Sequence, residues 1–294
     1  VSKLASRPRS IAALATGSAV ICLASALGVP AGLAQPRARP AAPSHDFVET
    51  GHALVTRSRD LPPLPAGIVG RHETRFSLED EARATNVRLA VSRIDGATLA
   101  PHRSLSFDQR VGPRTVDRGF LDAETLLNGV PTPGIGGGIC QVATTLFVAA
   151  FTAGVPVPRV RPHSRLPHYA APGMDAAIAE GRHDLVIENP FHEPLVVHAR
   201  TEGDRLVVEL TTTDAPLDVE WEATVEETLP PRERVERDRH LPAGERRILD
   251  EGATGWTVLR TRTVHQGEHV RRERTHVRYQ AYPRVVRVGP TPAS

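Results

Sequence analysis

Gly134-Ile135-Gly136-Gly137-Gly138-Ile139-Cys140-Gln141 leads straight into Val142-Ala143-Thr144-Thr145-Leu146-Phe147-Val148-Ala149-Ala150-Phe151, an apolar run with no helix breaker. The pair reads as a glycine turn feeding a buried helix, with a thiol in its first turn. Glycine permits positive φ and close approach of another chain. The unpaired N–H groups and dipole at a helix start stabilise a thiolate and lower a cysteine pKa. The same corner suits a bound anion.

Working outward, Gly154 and Pro156 end the helix. Upstream, Ser77-Leu78-Glu79-Asp80 fits a capping box, and Val87, Ala90, Val91 and Ile94 follow at helical spacing to a stop at Gly96. Residues 97–116 hold short strand-like pieces. A short helix is expected around Leu121–Asn128, stopped by Gly129. Downstream, Leu195–Thr201 and Arg205–Thr211 flank Glu202-Gly203-Asp204 and read as a hairpin with a three-residue loop. A helix-containing core backed by antiparallel strands makes the class α+β.

From about residue 222 the texture changes to alternating charge, with strand-like runs separated by turn signals. Trp256, Val258 and Arg260 alternate with Thr257, Leu259 and Thr261, a period of two. Between 222 and 289 there are 14 arginines against 11 acidic residues, so the surface is mixed in sign and not a basic stripe. The expectation is a small β unit, poor in core material, with a solvated sheet laced with ion pairs.

The amino terminus has the order of a secretory leader: Lys3, Arg7 and Arg9, an apolar stretch from Ile11 to Leu27, then Gly32-Leu33-Ala34. Cleavage near residue 34 is expected, with an uncleaved anchor as the rival. Residues 35–70, rich in Pro, Ala and Arg, read as a stiff spacer. The division is then 1–34 leader, 35–70 spacer, 71–221 first domain, 222–289 second domain and 290–294 tail. Limited proteolysis is expected to cut in 35–70 and then near 214–231.

Composition is that of a folded chain, 40% hydrophobic and 24% charged. The formal charge of +2 falls to −1 once the three leader cations are gone, which argues against nucleic acid as a partner. Of the two cysteines, Cys22 lies in the leader, leaving Cys140 as a lone thiol in an exported protein. Such proteins pair their cysteines or avoid them. Cys140 is therefore either a nucleophile or a small buried hydrophobe.

As a nucleophile Cys140 needs a base and a group to orient it. His163, returned by a short Pro-bounded segment, is the candidate base, and Asp175 or Asp184 the orienting carboxylate. Backbone N–H groups at Gly138 and Ile139 would line an oxyanion site. Gly136, Gly137, Gly138, Gln141, Arg114 and Ser164 are candidate binding residues. Such a set suits acyl transfer or amide hydrolysis, with the peptide of peptidoglycan as substrate. The alternative is a non-catalytic envelope module in which the glycine corner binds a carboxylate or glycan. A metal site from Cys140, His163, His168 and Asp175 lacks any short ligand spacing, so no metal or cofactor is expected.

Residues 76–200 resemble the VanW family, named from an accessory protein of vancomycin-resistance clusters. The resemblance rests on Asn86, Arg88, Leu105-Ser106-Phe107-Asp108, Val111-Gly112-Pro113-Arg114-Thr115, Gly119-Phe120 and Ala123. It continues through Gly136–Gln141, Thr144-Thr145-Leu146, His163-Ser164, Tyr169, Gly173, Asp175-Ala176 and Asp184-Leu185. Asp108 stands where the family would have asparagine. Residues 225–289 resemble a G5 domain, on Leu241-Pro242-Ala243-Gly244, Gly252, Gly255 and Val288-Gly289. The resemblances imply a few helices on antiparallel strands followed by a small β module. They also imply an exported, periplasmic or extracellular envelope protein whose partner is peptidoglycan or another cell-wall glycan, with no stable membrane span after leader cleavage. The family supplies no settled reaction.

Overall fold

The computed structural model describes residues 55–57, 63–127 and 129–291. The expected leader and most of the expected spacer lie outside the described residues. Strands β1 (Val55–Arg57) and β2 (Ile68–Arg75) begin inside the stretch read as spacer. They are ordered by pairing with strands far along the chain, which local composition does not report.

The helix after the glycine turn, α3 (Ile139–Thr152), is the centre of the molecule, and residues from Gln141 to Phe151 are all buried on it. A helix apolar on every side is stable only when covered on every side. One cover is an antiparallel sheet in the order β2, β9 (Arg205–Thr211), β8 (Leu195–Glu202), β3 (Ala97–Leu99). Strand β2 comes so close that a Cβ on Gly70 would collide with the Ala149 carbonyl and lie 2.8 Å from Ala149's neighbour on the helix, Ala153. Only glycine fits there. Helix α1 (Glu81–Ile94) packs beside α3 in the same core through Ala84, Val87, Ala90, Val91 and Ile94. Its N-cap is Asp80, whose Oδ1 accepts the Arg83 N–H at 2.9 Å, while Ser77 Oγ accepts from Glu79 N–H in the turn before. The helix therefore starts three residues later than the capping-box reading placed it.

The expected helix at 121–128 is instead strand β5 (Asp122–Leu127), paired with β6 (Val130–Ile135) across Gly129 at φ +78°. Leucine favours a helix, but propensity is a weak prior that pairing with β6 overrides, and a left-handed glycine in a tight turn closes the hairpin. Pro131 and Pro133 are tolerated because the sheet has two strands, leaving one edge of each strand unpaired. The short strand β4 (Ser104–Ser106) runs into α2 (Phe107–Val111) and pairs with β7 (Val186–Glu188).

The other cover of α3 is a second sheet, in the order β1, β10 (Asp218–Leu229), β13 (Gly255–Gln266), β14 (His269–Tyr279). Strand β10 spans 218–229, so a division at 221/222 falls within it. A three-stranded sheet, β11 (Glu233–Arg237), β15 (Arg284–Val288), β12 (Arg246–Asp250), completes this region. The inward row of β13 is Val258, Arg260, Arg262 and Val264, all buried. The mixed-sign composition did not single out these positions, yet two of the arginines are core residues. Arg262 Nη1 donates to the carbonyls of Phe151 (2.8 Å) and Val155 (3.1 Å), at and beyond the end of α3, while its other nitrogens pair with Glu273. Arg271 donates to the Gly154 carbonyl at 2.6 Å. These cations add donors to carbonyls at and just beyond the helix end and complement the negative end of the helix dipole. Their guanidinium planes also cover aromatic rings, Arg262 over Phe151 at 4.3 Å and Arg260 over Phe147 at 5.0 Å.

The class is α+β, as expected, with three α-helices among the described residues and predominantly antiparallel strands. Among the described residues no helix is long and apolar enough to cross a membrane.

Candidate functional site

The glycine turn sets where the thiol sits. Gly136 and Gly138 have φ of +89° and +110°, and Gly138 is the N-cap of α3, which makes Cys140 the second residue of the helix. Gly137 lies against the hairpin, where a Cβ would meet the Glu124 carbonyl oxygen at 2.5 Å. Asn86 on α1 fastens the turn: its Nδ2 donates to the carbonyls of Gly137 and Leu121, both at 3.0 Å, and its Oδ1 accepts from Leu121 N–H. Ile139 N–H donates to the Gly136 carbonyl at 3.2 Å. That donor is committed to the turn and is not directed at an oxyanion, contrary to the sequence expectation.

Cys140 is part-buried and unpaired. Its Sγ accepts from Ile178 N–H at 3.4 Å and lies 3.5 Å from the Ile178 carbonyl. The His163 side chain is its strongest favourable electrostatic partner. His163 Nδ1 lies 2.6 Å from Asp175 Oδ2, and the same oxygen accepts the His163 backbone N–H at 2.7 Å. Cys140, His163 and Asp175 thus form one electrostatically coupled series, with a direct hydrogen bond between His163 and Asp175. Asp184 is elsewhere: it accepts from Ser106 Oγ (2.6 Å) and Asp108 N–H (2.8 Å) and caps the start of α2. Of the two carboxylates left open by the sequence, the one that meets His163 is Asp175.

The electrostatics follow from these contacts. Burial opposes ionisation of Cys140, but the His163 side chain, the Ile178 N–H and the Arg83 charge outweigh it and hold the thiol below its usual pKa. Burial pushes His163 down, yet Asp175 and Cys140 raise it to about 10. Both shifts favour the thiolate–imidazolium form of the pair, which titrates as a unit.

Residues that sequence reasoning did not place complete the surroundings. Arg83 bonds Gln141 Oε1 at 3.0 Å and lies over the Tyr169 ring at 5.9 Å. Burial, reinforced by the Cys140 charge, keeps the Tyr169 hydroxyl protonated well above its usual range. Thr144 Oγ1 accepts from Ala176 N–H at 3.0 Å, tying the segment beside Asp175 to α3. Strand β14 contributes Tyr279, whose hydroxyl donates to Asp175 Oδ1 and accepts Gly173 N–H at 2.9 Å. Nothing local in the sequence marks a tyrosine 104 residues beyond its partner.

The candidate binding residues divide. Gln141 is fully buried and donates to Thr74 Oγ1 (3.1 Å) and the Arg75 carbonyl (2.7 Å), a structural role. Gly136, Gly137 and Gly138 form the turn. Ser164 bonds the second region, its carbonyl accepting from Gln280 N–H at 2.7 Å and its Oγ from Tyr282 at 3.2 Å. Arg114 is paired with Asp108, and its methylenes pack where a Cβ on Gly136 would sit. The aspartate that replaces the family's asparagine is thus the counter-ion of Arg114. His168 is exposed and packs edge-on against Tyr169. No group of three or more His, Cys, Asp or Glu with metal-holding geometry occurs among the described residues.

The family model described as VanW like protein matches residues 82–211, and that of the G5 domain matches residues 220–291. The chain carries a VanW-like domain followed by a G5 domain. All three members of the Cys140 series lie within the VanW-like match, and Tyr279 lies within the G5 match. The protein YoaR of Bacillus subtilis (strain 168), itself called uncharacterized, is 33% identical over 146 residues, covering 50% of this chain and 48% of YoaR. The vancomycin B-type resistance protein VanW of Enterococcus faecalis (strain ATCC 700802 / V583) is 29% identical over 125 residues, covering 40% of this chain and 45% of that protein. The similarity thus spans about half the length of each relative. The IgA1 protease G5 domain structure is similar over 27% of this chain and 99% of its own, at 18% identity and a TM-score of 0.19.

Proposed function

We propose that this protein is an envelope enzyme that uses the Cys140 thiolate for acyl transfer or amide hydrolysis on the peptide part of peptidoglycan. The observation that carries the reading is the coupled series Cys140–His163–Asp175 at the start of α3, in which Asp175 holds the His163 ring and His163 favours the thiolate. A lone thiol that serves only as packing needs no imidazolium beside it, and a buried histidine held at about 10 needs its carboxylate. The VanW-like and G5 matches and the resistance-protein relative support the cell envelope as the place of action.

The chemistry balances with these groups alone. The thiolate attacks an amide carbonyl, forming a C–S bond, and the C–N bond breaks as His163 gives its proton to the leaving amine. His163, now neutral, takes a proton from water or an acceptor amine, which attacks the thioester and releases the thiolate. Asp175 holds the ring and stabilises its charged form.

The test is intact-mass and peptide-resolved mass spectrometry after acid quench of the protein with stem-peptide fragments of peptidoglycan. A thioester adduct on the Cys140 peptide, absent in Cys140→Ala, is expected. A thiol that carries no adduct and resists iodoacetamide until denaturant is added would overturn the enzyme reading in favour of the binding module.

A further inference from the structure

We propose that Tyr279 of the G5 domain is a positioning residue for the Cys140–His163 pair, so that the second domain is a working part of the thiol site and not only a tether. The inference rests on the thiol-enzyme reading above. It is carried by the hydroxyl of Tyr279, which donates to Asp175 Oδ1 while Oδ2 of the same carboxylate serves His163. Asp175 and Tyr279 are each 2% exposed, so no solvent competes for these bonds. Every hydrogen bond drawn here to the Asp175 carboxylate comes from one of two residues, His163 or Tyr279. Asp175 has little freedom to rotate while both are in place.

The G5 domain grips the same segment at two further points. Tyr279 Oη accepts the Gly173 N–H at 2.9 Å, and Arg260 Nη1 donates to the Gly173 carbonyl at 2.6 Å. Gly173 adopts φ +81°, and a Cβ there would lie 2.9 Å from Val258 Cγ1 of β13. The peptide two residues before Asp175 is therefore bonded on both sides by strands β13 and β14. The tyrosine works as a proton donor throughout, because burial and the Asp175 charge hold it protonated well above its usual range. Arg260, Tyr169 and Arg83 are the other ionisable groups facing the series, from β13, the 164–178 segment and α1.

The test compares full-length wild type, Tyr279→Phe and His163→Ala by the pH dependence of iodoacetamide labelling, read at the Cys140 peptide so that Cys22 does not contribute. With Tyr279→Phe, one oxygen of a buried carboxylate loses its donor and Asp175 no longer fixes the ring. Labelling at neutral pH should fall about tenfold, the change given by one pKa unit, with the profile displaced to higher pH. An unchanged profile in a folded Tyr279→Phe, alongside a displaced one in His163→Ala, would overturn this proposal and leave the thiol-enzyme reading standing. A wild type that labels like a free thiol and does not respond to His163→Ala would overturn that reading first. Should Tyr279→Phe fail to fold, 3-fluorotyrosine placed at 279 keeps the hydroxyl and adds a reporter. Its fluorine resonance should move at the pH where the thiolate forms and stay fixed there in Cys140→Ala. A resonance that ignores thiol ionisation in the wild-type background would overturn the proposal.

Discussion

Asp175 Oδ2 accepts two hydrogen bonds from a single residue, the backbone N–H of His163 at 2.7 Å and its ring Nδ1 at 2.6 Å. One oxygen thereby fixes both where the histidine backbone lies and which way its ring faces. Asp175→Asn keeps the volume but removes the negative charge. His163 should then titrate lower, and the Cys140 thiolate, losing its imidazolium partner, should form at higher pH. Labelling at neutral pH should slow by about tenfold for each unit of that displacement. Stability should fall by about 1–3 kcal/mol, since an amide offers one acceptor oxygen where the carboxylate offered two, and a buried donor of His163 or Tyr279 loses its acceptor. Labelling kinetics and urea melts check the two effects separately.

The same contacts set a pH dependence of stability. The folded pKa of His163, about 10, lies above the ordinary histidine value of 6.5. Its contribution is fully present below the ordinary value and is lost as pH rises through about 10. Cys140 has the opposite sign: its depressed pKa stabilises the fold at high pH, and that part is lost as pH falls through its folded value. Thermal melts from pH 6 to 10.5 should show a loss of stability towards the alkaline end in wild type that is weaker in His163→Ala. Equal alkaline slopes in the two proteins would say that His163 is not held charged.

The elements that local pattern dictates were legible in the sequence. The glycine turn, the all-apolar helix after it and the thiol in its first turn all follow from composition over a dozen residues, and the hairpin at 195–211 from period-two alternation around Gly203. What was not legible depends on partners distant in the chain. Leu121–Asn128 read as helix because nothing nearby shows that 122–127 pairs with 130–135. The mixed charge of 222–289 read as a solvated surface, although Arg260 shares a row with Trp256 and Val258, and only the carbonyls at Gly173 and at the end of α3 explain why Arg260 and Arg262 are buried. At the site, the sequence supplied Cys140 and His163 but left Asp175 and Asp184 equivalent. The difference is one of place, Asp184 being used by Ser106 and the Asp108 N–H. Tyr279 and Arg83 carry no local signature at all.

Arg262 should be among the most sensitive positions outside the site. It is 2% exposed, bonds two carbonyls near the α3 terminus and pairs with Glu273, whose side chain is 36% exposed. Arg262→Ala takes the donor from the Val155 carbonyl and one of the donors from the Phe151 carbonyl, leaves Glu273 with Arg271 alone, and opens a cavity against Phe151. The unmet buried acceptor should cost about 1–3 kcal/mol, to which the cavity adds. Glu273→Ala should cost less, because Arg262 keeps both backbone acceptors and water reaches the vacated place. Chemical denaturation of the two variants orders them, and a smaller loss for Arg262→Ala than for Glu273→Ala would contradict the capping role.

Gly137 separates the two requirements that a glycine can meet. Unlike Gly136 and Gly138 its φ is not in the left-handed region, so alanine is conformationally allowed there. Space is what forbids it: a Cβ would stand 2.5 Å from the Glu124 carbonyl oxygen and 2.8 Å from the Ala123 carbonyl carbon, both backbone atoms of strand β5. Backbone cannot step aside as a flexible side chain can, so the turn and the hairpin must part. Overpacking of this kind costs about 1–3 kcal/mol. The displaced turn carries the start of α3 with it, and Cys140 sits only three residues on. Gly137→Ala should therefore lower both the melting temperature and the neutral-pH labelling rate of Cys140. Gly267→Ala is the matched control: it has open space but φ +58°, so it strains the backbone of a distant hairpin without touching the site. Its melting temperature should drop modestly while Cys140 labelling stays at the wild-type rate. Equal labelling in the two variants would show that the thiol's reactivity does not depend on the geometry of the turn.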